Sequence, residues 1–112
     1  MKNTQRLMGV ARICIAVHKE LRMTQLLTLL AVAEKPGRTQ TEIAQEVGLT
    51  RAAVSRAVDA LGTTGREKKK GASGLGWINA VPDPSNDRNQ LVFLLPKGQA
   101  LVRELEAELS KG

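Results

Sequence analysis

Apolar side chains recur every three or four positions along most of this 112-residue chain, and that period is interrupted between residues 62 and 95. Leu7, Val10, Cys14, Val17 and Leu21 predict a helix over Thr4–Leu21. Met8, Ala11, Ile13 and Ile15 widen its apolar face beyond what one side of a small core needs. Such a helix either runs through the centre of the fold or meets a second subunit. Thr24 is placed to cap a second helix carrying Leu26, Leu27, Leu29, Leu30, Val32 and Ala33, which Pro36-Gly37 ends.

The stretch "TQTEIAQEVGLTRAAVSRAVDAL", residues 39–61, starts as a helix, halts at Gly48-Leu49-Thr50 and starts again. Thr39 and Glu42 have the spacing of a capping box. Ile43, Ala44 and Val47 form a buried stripe, and Gly48 supplies the left-handed turn that other residues adopt only at a cost. Leu49 plugs the turn, Thr50 caps the next helix, and Val54, Ala57, Val58 and Leu61 turn inward. This is a helix-turn-helix.

Beyond Leu61 the period is lost. "GTTGREKKKGASGLG" is glycine-rich and basic, and reads as a loop. "WINAV" and "QLVFLL" are β-prone runs either side of "PDPSNDRN", which predicts a β-hairpin over 77–95 with a long tip. Pro96 then opens a final helix over 96–110, lined by Leu101, Leu105 and Leu109 with Val102 beside them. The expected architecture is one domain over 1–112, mainly α with a small β-hairpin (α+β): a winged helix-turn-helix. Residues 1–22 are its candidate dimerisation helix.

Composition sharpens the choice of partner. The formal charge of +6 favours a polyanion, with nucleic acid ahead of an anionic membrane surface. Cys14 is the sole cysteine, which excludes an intrachain disulfide and a multi-cysteine metal site, and its apolar neighbours suit a buried thiol. Arg12 interrupts the N-terminal apolar run, no small-residue cleavage site follows, and no stretch has the length of a membrane span. The expectation is a soluble cytoplasmic protein.

Little here suits catalysis. His18 is the only histidine, tyrosine is absent, and Ser55 has no nearby histidine in sequence. The glycines at 71, 74 and 76 lack the strand-loop-helix context of a phosphate-binding loop. Neither an enzyme nor a cofactor is expected.

The outward side of the second helix is better suited to recognition. Ala52, Arg56 and Asp59 point away from the predicted core, Ser55 flanks them, and Thr50 and Arg51 stand at the amino end. Arginine can fork onto guanine, serine and threonine can bond bases or phosphates, and alanine can touch a thymine methyl. Asp59 reads as a partner for Arg56 or a solvated residue. A hairpin directly after a helix-turn-helix is a wing, and Arg88 lies at the tip of this one, suited to the narrow minor groove. Asn86 and Asp87 can steady that tip.

From about Thr24 to Leu109 the chain resembles the MarR-type winged-helix transcriptional regulators. The resemblance rests on "LLTLLAVAEKPGRTQTEIAQEVGLTRAAVSRAVDAL" and on "DPSNDRNQLVFLLPKGQALV". It implies a homodimer that binds pseudo-palindromic double-stranded DNA and represses promoters, with a small-molecule effector near the dimer junction. It also implies recognition-helix contacts from Arg51, Ser55 and Arg56 and a wing contact from Arg88.

Two features depart from that pattern. Residues 66–76, including Lys68, Lys69 and Lys70, are inserted before the wing; they read as an arm making added phosphate contacts or as a solvated linker. Only one closing helix fits after the wing, which leaves open a smaller dimer, a rearranged one or a monomer, and puts the effector pocket in doubt. The competing reading, from a different class, is a winged helix that docks a protein partner, with Trp77 and Phe93 on the docking surface.

Overall fold

The computed structural model describes residues 2–62 and 74–111. Among these residues five helices, α1 (Lys2–Val17), α2 (Met23–Glu34), α3 (Gln40–Val47), α4 (Arg51–Leu61) and α5 (Pro96–Leu109), accompany a three-stranded antiparallel sheet. Its strands are β1 (Arg38–Thr39), β2 (Ile78–Asp83) and β3 (Asn86–Leu94), in the order β1-β3-β2.

The short β1 was not expected from the sequence. Two residues carry no alternation to read, and the strand exists because Arg38 and Thr39 lie opposite Val92 and Leu91 of β3. This pairing ties the start of the helix-turn-helix to the wing.

The core is continuous across all the helices and the sheet. Leu29 and Val32 of α2, Ile43 of α3, Val54 and Leu61 of α4, Ile78 of β2 and Val92 of β3 are fully enclosed. Each such side chain contributes on the order of 1.5–3 kcal/mol by leaving water. α2 packs on α4 and α3, and α1 packs on α5.

The first helix ends earlier than its periodicity predicts, at Val17 rather than Leu21. His18 therefore lies in the following turn, where its carbonyl accepts from Leu21 N–H at 3.0 Å. The buried line along α1 also differs from the expected stripe. Gly9 and Cys14 are enclosed and Val10 and Ile13 pack against the core, while Leu7 and Val17 face outward. The carboxylate of Glu108 on α5 occupies the space a side chain at Gly9 would need, so the two helices meet there. Burial pushes the Cys14 thiol above its ordinary pKa, consistent with an inert core thiol.

Thr24 does not cap α2. Arg22 holds the cap position, and the carboxamide oxygen of Gln25 accepts from the Arg22 backbone N–H at 2.9 Å. At the start of α5, Gly98 lies against the backbone of Trp77, whose carbonyl accepts from Leu95 N–H at 2.9 Å. Any Cβ at Gly98 would overlap that carbonyl, so glycine is what lets the last helix sit directly on the beginning of the wing.

Candidate nucleic-acid interface

The interrupted helix has the expected local chemistry. Thr39 and Glu42 form a reciprocal capping box, with bonds of 3.1 Å from Glu42 N–H to the Thr39 hydroxyl and 2.9 Å from Thr39 N–H to the Glu42 carboxylate. Gly48 is left-handed, with φ of 74°, and its N–H closes on Ala44 O at 3.0 Å. Leu49 packs against the core beneath the turn. The Thr50 hydroxyl oxygen accepts from Ala53 N–H at 3.0 Å, which starts α4 and leaves the hydroxyl proton available to an anion.

α3 thus braces α4 from below, and Val54, Ala57, Val58 and Leu61 anchor its inner side. Thr50, Arg51, Ala52 and Arg56 are exposed, and Ser55 is half-buried at their flank. Arg56 has no carboxylate partner among the described residues. Instead Arg56 lines a groove of about 440 Å³ with Ala53 and Ala57 of its own helix and Arg22, Thr24 and Gln25 of α2.

The wing differs from its expected form. β2 and β3 run on through much of the turn-rich stretch, so the tip is only Pro84-Ser85, and a register shift falls between Pro82 and Asp83. Arg88 is exposed on β3 just past this tip rather than at its apex. Its backbone N–H bonds the Asn86 side chain at 3.2 Å, as expected of an Asx-type brace. The larger brace is Asp83, which the sequence did not single out. Its carboxylate accepts from Ser85 N–H at 2.9 Å and from the Ser85 hydroxyl at 2.8 Å. Those two bonds, the backbone one first, hold the Asp83 carboxyl below its ordinary pKa.

Lys68, Lys69 and Lys70 lie outside the described residues. The ends of the segment that carries them are closely tied. Leu75 N–H bonds Ala60 O at 3.0 Å, Gly76 N–H bonds Gly62 O at 2.9 Å, and Trp77 N–H bonds Leu61 O at 2.9 Å. The chain therefore leaves the end of α4 and returns to the same place, and residues 75 and 76, expected within the insert, belong to its stem. Trp77 is buried in the core, whereas Phe93 is partly exposed on the wing.

Residues 21–65 match the MarR family model. The solved structure of RV1404 from Mycobacterium tuberculosis superposes with a TM-score of 0.71 at 19% identity, covering 95% of this chain and 65% of that one. The MarR family transcription regulator SP03579 gives 0.66 at 20% identity, covering 89% and 58%. The transcriptional repressor CouR, bound to a 23-mer DNA duplex, gives 0.64 at 24% identity, covering 96% and 70%. The fold of this chain is the winged helix-turn-helix seen in those MarR-type structures.

The chain spans less than two thirds of the length of SP03579 and of RV1404. A search of curated protein sequences finds no significant match. Within the described residues of this MarR-type fold, no helix is long and apolar enough to cross a membrane.

The MarR-type scaffold also uses residues that the sequence reading passed over. Arg38, its side chain 11% exposed, donates to Ala31 O at 2.6 Å and Lys35 O at 3.2 Å, and pairs with Glu46 of α3 at 3.4 Å. It adds a second donor to Ala31 O, which already accepts from Lys35 N–H at 3.2 Å, satisfies Lys35 O beyond the end of α2, and ties both to α3. A cation just beyond a helix terminus was the available signal. Arg22 gave none, because only the fold sets it beside Arg56.

Proposed function

We propose that this protein is a transcriptional regulator that binds double-stranded DNA, and that it acts as a repressor. The observation that carries this reading is the outer side of α4. Thr50, Arg51, Ala52 and Arg56 are exposed on a helix whose opposite side is fully anchored in the core. An exposed, braced helix of this kind has the width to lie in a major groove. The formal charge of +6 and the likeness to CouR, a repressor bound to a DNA duplex, support the same reading.

In this mechanism Arg51, Ala52 and Ser55 meet base edges, Thr50 and Arg56 act beside them, and Arg88 reaches into the neighbouring minor groove. Lys68, Lys69 and Lys70 add phosphate contacts. Occupying a promoter in this way blocks polymerase. The active form is a homodimer: Leu7, Met8, Ala11 and Ile15 form an exposed apolar face on α1 at helical spacing, suited to a second copy. Two subunits then meet half-sites about one helical turn apart.

Selection from a random duplex pool at two salt concentrations tests this directly. The expected result is an inverted-repeat consensus whose affinity falls steeply with salt. Absence of enrichment would replace DNA reading with protein docking.

A further inference from the structure

The groove between α2 and α4 gathers two cations from separate elements. Arg22 stands at the cap of α2 and Arg56 in the middle of α4, and both line the same concavity of about 440 Å³. Neither has a carboxylate partner among the described residues. Ala53 and Ala57 are short enough to keep the wall on the α4 side open, while Thr24 and Gln25 make the opposite wall polar. Guanidinium groups present donors and no acceptor, so two arginines lining one groove suit an anion with several oxygens. The placement of Arg56 also matters. Its groove neighbours Ala53 and Ala57 are half-buried and buried, whereas Ala52 is exposed, so Arg56 stands on the flank of α4 that faces α2.

We propose that this groove seats one phosphate of the DNA backbone, held jointly by Arg22 and Arg56. Arg56 is then a backbone clamp, and base reading by α4 falls to Arg51, Ala52 and Ser55. The assignment rests on the DNA-binding reading above. It adds α2 to the interface and sets how deeply α4 enters the groove, because phosphate contacts fix register and orientation while base contacts specify sequence.

The test is a set of anisotropy titrations over a salt series on the selected duplex and on a random one. The proteins compared are the native chain, Arg22→Ala, Arg56→Ala, the double variant, Arg22→Lys, and Arg103→Ala as an exposed-charge control on α5. Thermal melts establish that the variants remain folded. Arg22→Ala is expected to weaken both duplexes alike and to lower the log–log salt slope by less than the double variant does, because Arg56 still holds the shared phosphate. Arg22→Lys keeps the slope, Arg103→Ala leaves it unchanged, and the double variant loses no more than about 0.9, because the two arginines share one phosphate.

A native protein indifferent to duplex DNA would remove the DNA reading itself. Native binding whose affinity Arg22→Ala leaves undiminished and whose salt slope the double variant leaves unchanged would overturn the groove alone. A double variant that loses about twice the single-contact slope would mean separate phosphates and no shared seat. Selective weakening of the chosen duplex by Arg56→Ala would return Arg56 to base reading.

Discussion

Gln40, the first residue of α3, donates its side-chain amide to the side-chain oxygen of Gln90 on β3 at 3.2 Å. Gln40 is a buried polar residue of the core region, and Gln90 is its partner from the wing. With the β1–β3 pairing, this bond between residues 50 apart in the chain fixes the helix-turn-helix relative to the hairpin. Gln90→Ala leaves the Gln40 amide enclosed without its partner. The expected cost is about 1–3 kcal/mol, read by urea denaturation. Replacing both glutamines by leucine should recover much of that loss, since an apolar pair has no polar group left unpaired. A Gln90→Ala chain as stable as the native one would show that the bond does not constrain the wing.

Arg51 and Arg88 are exposed on different elements and are expected to fail in different ways. Arg51→Ala should weaken the selected duplex by about 1–3 kcal/mol with much less effect on random DNA. Arg88→Ala should chiefly weaken sites with a narrow, A·T-rich minor groove beside each half-site, where the negative potential is strongest. Competition titrations on matched duplexes separate the two. Identical losses on all sequences would make both residues phosphate contacts.

The exposed face of α1 predicts self-association. Leu7→Glu with Ile15→Glu should shift the protein to monomer in sedimentation equilibrium while the helical signal in circular dichroism is retained, because both residues face outward. Val10 is unsuitable for this test, since it packs against the core and a charge there would disturb the fold. A native chain that sediments as a monomer at high concentration would end the dimer proposal.

The wing tip should respond to acid. The bonds from Ser85 are made to ionised Asp83 and lower its pKa, so their contribution is fully present above the ordinary aspartate pKa and is lost as pH falls through the lowered one. The Ser85 amide resonance should therefore titrate with a midpoint below the ordinary aspartate range, and Asp83→Asn should abolish the titration. A midpoint at the ordinary value would mean the bonds do not persist in solution.

Features set by neighbouring residues were legible in advance. The Thr39–Glu42 capping box, the left-handed Gly48, the Thr50 cap and the inward set Val54, Ala57, Val58 and Leu61 all form as expected. Each depends on spacing within one or two helical turns, which a sequence states directly. The same holds for the Asn86 brace behind Arg88.

Errors arose where distance along the chain stopped being a guide to distance in space. The tip residues of the wing form strand because β2 and β3 continue to pair past Pro82, which turn propensity opposes and the ladder overrides. Leu7 and Val17 share a period with Val10 and Cys14, yet α5 takes only the narrower strip next to Gly9.

The sequence alone determined that this chain makes a helix-turn-helix, a hairpin and a closing helix with excess positive charge, because caps, turns and periodicities are local properties. Only the tertiary structure decided that Arg38 binds α2 to α3, that Gln40 meets Gln90, and that Arg22 and Arg56 line one groove. Those relationships join residues from different elements, and the angles between elements are set by how the shared core packs, which no single stretch of sequence encodes.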